Sequence, residues 1–228
     1  MSVGSSRYGS PQDVPGVVPV FPLPGALLLP RGQLPLNIFE PRYVAMVDAA
    51  LAGDRVIGMI QPAADTAVRN DPGDIADTDL CTVGCLGRIT SFQESGDGRY
   101  VINLAGIARF VVISELTVIT DYRQCHVDYT DFGDDFIGHV GEEMVDRDGL
   151  LKVFKDYLTA NDMEADWESV QSASSETLVN ALSMMSPYGP AEKQALLEAP
   201  DLKTRAETLV AITEFELARS QDSGTILQ

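Results

Sequence analysis

The hydrophobic positions of residues 17–62 come in short runs that prolines and glycines separate. VVPVF, ALLL and PLNI, all within Val17 to Ile38, predict short strands, and RVIGMI, closed by Pro62, predicts a buried strand. Proline cannot sit in a central strand, so it normally marks an edge, a strand start or a bulge. The pattern therefore predicts strands that turn sharply, as at the lip of a small barrel.

An amphipathic helix is predicted between these runs. Pro41 suits the first helical turn, Asn37 is a possible cap, and Gly53 fits the C-terminal stop. Apolar side chains recur at helical spacing at Tyr43, Val44, Val47, Ala50 and Leu51.

Residues 82–130 are the richest in strand signals. TVGCLGRITSFQ and RYVINLAG flank the turn sequence ESGDG, which predicts a hairpin. Gly106 is expected to break the strand run. After it, IARFVVISELTVI and YRQCHVDYTD alternate apolar and polar residues, as strands with one solvent-exposed face do. Gly84 and Gly87 predict bulges or the tight bends that a small barrel uses at its corners.

The composition changes after Asp131, where an acidic passage leads into helices. LLKVFKDYL is expected to stop near Asn161, SSETLVNALSMMS begins with a serine cap, and Pro190 and Asp201 open the last two helices. We therefore predict an α+β chain. Residues 1–15 are a disordered tail, 16–131 a β-rich subdomain, 132–220 a helical subdomain and 221–228 a frayed tail.

The formal net charge of -18 and the pI of about 4.3 restrict the possible partners. Nucleic-acid binding usually needs clustered Lys and Arg, and an anionic membrane repels such a surface, so neither is an expected partner. No apolar run approaches the roughly 18 residues of a membrane span, and the N-terminus lacks an apolar signal core. The expected location is therefore cytoplasmic. The charge serves solubility, or else a preference for basic or neutral partners.

Three cysteines and two histidines leave little scope for metal chemistry. The C-x3-C spacing of Cys81 and Cys85 is not a usual zinc spacing, so buried free thiols are expected. His126 reads as an inert strand residue. The aspartates of Ala63 to Leu80 do not match a calcium-binding loop, which predicts a solvated loop there. We expect no metal and no cofactor.

Signatures of catalysis are also missing from the sequence. It contains no phosphate-binding loop, dinucleotide-binding glycine motif, nucleophile elbow or H-E-x-x-H pair. Cys85 lies in an apolar strand of an acidic protein, where little favours a thiolate. No catalytic residue is predicted, although a carboxylate site assembled across the fold stays open.

Three charged motifs remain as candidate sites. Glu40, Arg42 and Tyr43 begin the predicted helix, where they either cap it locally or form a recognition surface beside Phe39. Arg88 and Arg109 follow glycines in the β-rich part. Each either ties a loop carbonyl or carboxylate internally or faces a ligand.

Taken together, these segments resemble the N-terminal domain of Lon-type ATP-dependent proteases. The resemblance rests on PVFPLPGALLLPRGQLPLNIFEPRYVAMVDAAL, VIGMIQP, VGCLGRITSF and GRYVINLAGIARFVV, in that order, and extends to ETLVNALSMMSPYGPAEKQALLEAPDLKTRAETL. The sequence also resembles the stand-alone bacterial proteins of this family, which consist only of this region. It implies a PUA-like β-barrel subdomain followed by a C-terminal α-helical bundle. Some PUA-like barrels bind RNA, but the charge of -18 argues against that use.

In full-length Lon proteases this domain helps to engage substrate proteins, whereas this sequence has neither ATPase nor protease motifs. The resemblance thus implies a non-catalytic binding module whose partners are unfolded or damaged proteins or peptides, with a protease as a further candidate partner. The predicted site residues are Leu28, Phe39, Glu40, Arg42, Tyr43, Arg88 and Arg109. Leu27 to Leu29, Phe39 and Tyr43 are expected to line a groove that accepts an apolar segment. The alternatives are a regulatory or structural subunit that contacts a protease, and a small hydrolase. The sequence does not set the oligomeric state.

Overall fold

A computed structural model describes residues 8–63 and 78–225, with side chains described as far as residue 219. Residues 1–7 of the predicted tail and residues 64–77 of the predicted acidic loop lie outside the described residues. Tyr8 to Pro15 include a short 3-10 helix at Pro11–Asp13. The Tyr129 hydroxyl donates to the Pro15 carbonyl at 3.0 Å, which ties this end of the chain to the barrel.

Six strands form one sheet that closes into a barrel. They are β1 (Val17–Pro22), β2 (Gln33–Ile38), β3 (Val56–Pro62), β4 (Leu80–Ser95), β5 (Arg99–Glu115) and β6 (Gln124–Asp128). The order is β2-β5-β4-β3-β1-β6, and β6 pairs again with β5. β5 is long enough to pair with β2 along its first half and with β6 along its second. The ring therefore closes, and β2 is left as an edge strand that contains Pro35, as proline at an edge predicts.

The predicted hairpin is confirmed, with a turn at Gly96 to Gly98 between β4 and β5. A bulge lies where Leu86 pairs with Ala108 and Gly87 with Gly106, as the glycines predicted. The prediction that Gly106 breaks the strand is wrong, because β5 runs through it.

The predicted strand ALLL is also wrong. Residues 26–29 are irregular, and the Leu29 carbonyl packs directly over Gly106. The Arg31 N–H donates to the Gly106 carbonyl at 2.8 Å, and the Gly106 N–H donates to the Gly32 carbonyl at 2.9 Å. This crossing segment holds Arg31 in the left-handed region, at φ 64°. A side chain at position 106 would collide with the crossing backbone.

The first helix, α1 (Pro41–Ala52), begins at Pro41 and is capped at its C-terminal end by Gly53, as predicted. Asn37 does not cap it, because this residue belongs to β2 and pairs with Val101. Glu40 occupies the cap position without a side-chain cap bond. The helix buries Tyr43, Met46, Val47 and Ala50.

The second part of the chain is helical, which confirms the α+β class. Its helices are α2 (Arg147–Ala160), α3 (Trp167–Ser172), α4 (Ser175–Met185), α5 (Pro190–Glu198) and α6 (Leu202–Thr225), preceded by 3-10 turns at Thr130–Phe136 and Glu142–Met144. The stop at Asn161, the cap at Ser174 and the starts at Pro190 and Asp201 agree with the predictions. The sequence reading missed α3.

Two apolar clusters hold the molecule together. One fills the barrel and includes Val18, Val20 and Phe110. The larger one joins the outer face of the barrel, α1 and the helical part, from Leu28 and Leu29 to Val179, Leu196 and Leu209. Because barrel and helices share this core, the cavity described below is framed by both.

Candidate functional site

Part of the predicted binding surface lies in the core. Leu27, Leu28 and Leu29 are at most 2% exposed, and Tyr43 is 5% exposed with its ring 4.2 Å from that of Phe21. These four side chains pack against other residues of the hydrophobic core, so they offer no surface to a partner while the fold is intact. The structure therefore removes these four residues from the predicted groove.

Phe39 is exposed, with Glu40 and Arg42 beside it. Its side chain is 64% exposed at the end of β2. The Arg42 Nη2 pairs with the Glu40 carboxylate at 2.7 Å, and the Arg42 guanidinium lies 4.7 Å from the centre of the Tyr43 ring. The charged pair is thus tied locally, while the aromatic ring faces solvent. We refer to Phe39, Glu40 and Arg42 as the Phe39 corner.

Arg88 and Arg109 both have internal partners. The Arg88 Nη1 donates to the Tyr8 hydroxyl at 2.6 Å. Arg109 is 3% exposed, and its backbone N–H, Nε and Nη2 donate to the Asp135 carboxylate at 2.9, 2.8 and 2.9 Å. Its Nη1 donates to the carbonyls of Leu197 and Ala199 at the end of α5. Arg109 therefore joins the barrel to the helical part.

Arg205, in α6, is a second buried arginine at the same place. Its Nε donates to the Leu196 carbonyl at 3.0 Å, and its Nη1 donates to the Asn180 Oδ1 at 3.0 Å. Its Nη2 is buried and has no hydrogen-bond partner among the described residues. Burial, and secondarily the charge of Arg109, lower the pKa of Arg205 to about 10.

A third arginine, Arg31, completes the group. Its guanidinium forms an ion pair with Glu176, with Nε donating at 2.9 Å, and its Nη1 donates to the Asp135 carbonyl at 2.7 Å. Asp135 and Glu176 are 7% and 8% exposed. We call Arg31, Arg109, Arg205, Asp135 and Glu176 the arginine cluster.

Sequence reasoning missed most of this cluster. It singled out Arg109 for the glycine before it, but it assigned no role to Arg31 or Arg205. One signal for Arg205 was present, because this position lies on the same helical face as Leu202, Ala206 and Leu209. A charged residue at such a core-facing position needs a buried partner.

The arginine cluster lines a cavity of about 190 Å³ between the barrel and the helices. Three apolar side chains at this cavity are solvent-exposed: Ile137 (57%), Val140 (41%) and Met144 (57%). Asp134, Asp201 and Lys203 also line the cavity. The site thus combines buried, paired charged groups with exposed apolar side chains.

Potential metal ligands come together at one place within the described residues. His139, Glu142 and Glu176 bring ligand atoms within 4.8 Å of one another. Each of them already has partners, since Glu176 pairs with Arg31 and accepts from the His139 N–H, while the Glu142 Oε2 lies 3.0 Å from the His139 ring nitrogen. Two hydrogen bonds lower the pKa of Glu142: the larger effect comes from the Ser174 side chain and the smaller from the Glu176 N–H.

The three cysteines are free thiols. Cys85 is buried, and burial raises the pKa of its thiol. This opposes thiolate formation and leaves Cys85 unsuited to nucleophilic attack. No helix among the described residues is long and apolar enough to cross a bilayer.

Comparison with protein families gives one extended match. The family described as "ATP-dependent protease La (LON) substrate-binding domain" matches residues 17–214. Lon protease 2 of Myxococcus xanthus is 33% identical over 117 residues, which are 51% of this chain and 13% of that protein. Lon protease of Escherichia coli is 26% identical over 204 residues, which are 88% of this chain and 25% of that protein. The matched segments are thus a quarter or less of these relatives.

Two solved structures share the fold. A Lon N-terminal domain protein from Xanthomonas campestris has a TM-score of 0.59 at 20% identity and covers 86% of this chain and 97% of its own. The N-terminal domain of Mycobacterium avium complex Lon protease has a TM-score of 0.63 at 17% identity, covering 87% and 98%. At such identities the likeness concerns the fold.

Proposed function

Because the chain belongs to the family of ATP-dependent protease La (LON) substrate-binding domains, we propose that it binds segments of other proteins without transforming them chemically. The family match, which spans residues 17–214, is the observation that carries this proposal. The ATPase and protease regions of the larger relatives have no counterpart in the matched segment. A protease that supplies those activities is the proposed recipient of the bound proteins.

The proposed ligands are unfolded or damaged polypeptides, and the proposed contact is the Phe39 corner. Unfolded chains expose apolar side chains that native proteins bury, and an exposed aromatic ring offers a large apolar contact area. The Glu40–Arg42 pair beside Phe39 adds both signs of charge at the rim of the contact. Aromatic and Arg side chains are enriched among residues that dominate binding energies.

The test is a titration of the protein into a fluorophore-labelled, permanently unfolded polypeptide, followed by anisotropy. The chain offers a matched control for Phe39→Ser, because Phe39 and Phe215 are each 64% exposed. We expect Phe39→Ser to cost more than about 1 kcal/mol of binding free energy, which corresponds to at least about a fivefold higher Kd. Phe215→Ser is expected to keep the wild-type Kd.

The same polypeptide in its native, folded form separates the possible outcomes. Binding of the unfolded but not the folded form supports the proposal. Equal losses in Phe39→Ser and Phe215→Ser would contradict the Phe39 corner. Failure of the wild-type protein to bind the unfolded form would contradict the function itself and favour a subunit that contacts a folded protease.

A further inference from the structure

The arginine cluster contains more positive than negative charge. Within the cluster three guanidinium groups meet two carboxylates, Asp135 and Glu176, which leaves one excess positive charge there; Lys203, Asp134 and Asp201 bring the whole lining to four cations and four carboxylates. This excess lies in a protein whose net charge is -18. Because Arg109 and Arg205 are each 3% exposed, solvent screens their charges little. An anionic group in the cavity would therefore be stabilised locally.

Arg205 supplies the donor that lacks an acceptor. Its Nη2 is buried without a partner among the described residues. Asn180 accepts from Nη1 through its only side-chain oxygen and uses its Nδ2 to donate to the Pro30 carbonyl at 3.1 Å. Its amide orientation is therefore fixed. Leaving a buried charged donor unsatisfied is unfavourable, so an oxygen acceptor is favoured here.

The side chains at the opening of the cavity determine which chemical groups can lie next to a bound anion. Ile137, Val140 and Met144 are 41 to 57% exposed and offer apolar contacts directly at the cavity. The volume of about 190 Å³ is many times the roughly 10–15 Å³ that one water needs by this measure. Asp134 and Asp201 also line the cavity, and their carboxylates disfavour a second negative group nearby.

We propose that this cavity binds the terminal carboxylate of a polypeptide whose last side chain is apolar. A carboxylate matches the planar fork of a guanidinium and forms charge-assisted hydrogen bonds with it. The apolar last side chain contacts Ile137, Val140 and Met144. Phe39 does not line the cavity, so this site is separate from the Phe39 corner and does not depend on it.

Anisotropy with a short N-terminally labelled peptide that ends in Leu tests the proposal. The free acid is compared with the C-terminal amide and with a peptide that carries Asp before the last residue. We expect amidation to raise Kd at least tenfold, and the added Asp to raise it as well. Equal affinity of acid and amide would overturn the proposal. If acetate displaced the free-acid peptide at a concentration equal to that of the peptide, the site would recognise a carboxylate alone. That result would overturn the proposal that the ligand is a polypeptide.

Variants then locate the site on the protein. Met144→Ser is expected to raise the Kd of the free acid about threefold or more, whereas Met163→Ser, at a methionine 49% exposed elsewhere, leaves it unchanged. Phe39→Ser is also expected to leave it unchanged, so failure here and failure of the proposed function are distinguishable. Equal effects of the two methionine variants would exclude this cavity as the binding site.

Discussion

The Asp135→Asn substitution would test how strongly the arginine cluster joins the barrel to the helices. Asp135 lies in the 3-10 turn that opens the helical part, and Arg109 lies on β5 of the barrel. The carboxylate accepts three hydrogen bonds from Arg109, and the two side chains are only 9% and 4% exposed. The substitution keeps the size of the side chain but removes its charge.

The expected loss follows from what the substitution leaves behind. Arg109 stays buried next to Arg205 without its compensating charge. Removing one partner of a buried pair costs about 3–5 kcal/mol, because the other charge remains desolvated. For a chain of this length, each kcal/mol corresponds to about 2–4 °C in Tm, so we expect a loss of about 6–20 °C.

Urea unfolding followed by circular dichroism measures the effect. Asp134→Asn is the matched control, because Asp134 is the adjacent residue in the same turn and its side chain is exposed. This control is expected to change the free energy of unfolding by less than about 0.5 kcal/mol. If Asp135→Asn lowered the free energy of unfolding by less than about 1 kcal/mol, the ion pair would not be a buried contact that joins the barrel to the helices.

Two further predictions concern the backbone crossing and the effect of pH. Gly106→Ala places a Cβ 2.8 Å from the Leu29 carbonyl carbon, which is backbone and cannot move freely. We therefore expect the free energy of unfolding in urea to fall by about 1–3 kcal/mol. Gly96→Ala, with no atom within 4 Å of the added carbon, is the control, and equal losses in the two variants would contradict the crossing. The pKa of Glu142 is lowered from its ordinary value of 4.5, so its contribution to stability is present above that value and lost as the pH falls through the lowered pKa. Glu142→Gln should therefore lower the urea midpoint at pH 7 and have a smaller effect at the acid end of the titration; a difference that grows towards acid pH would contradict this sign.

The cavity is built from both parts of the chain. Arg109 comes from the barrel, Arg31 from the crossing segment and Arg205 from α6. The hydrogen bonds from Arg109 and Arg205 also satisfy carbonyls at the end of α5, which a helix terminus would otherwise leave unpaired. The same contacts that hold the two parts together therefore shape the proposed binding site.

The sequence by itself determined the features that depend on near neighbours. Proline and glycine fix local dihedral angles and hydrogen bonding, so the start at Pro41, the stop at Gly53 and the hairpin turn were predictable. The serine cap before α4 was likewise readable, because its side chain bonds the N–H of Thr177, three residues on. Strand alternation and helical spacing separated the β-rich part from the helical part.

Only the tertiary structure decided which apolar runs are buried and which charges meet. Leu27 to Leu29 were predicted to line a groove, but the backbone that crosses over Gly106 places them in the core. Arg31 and Glu176 lie 145 residues apart in sequence, and Asn180 and Pro30 lie 150 apart. Such contacts form because the shared core packs the helices on the barrel, and no local pattern encodes which distant partners that packing brings together.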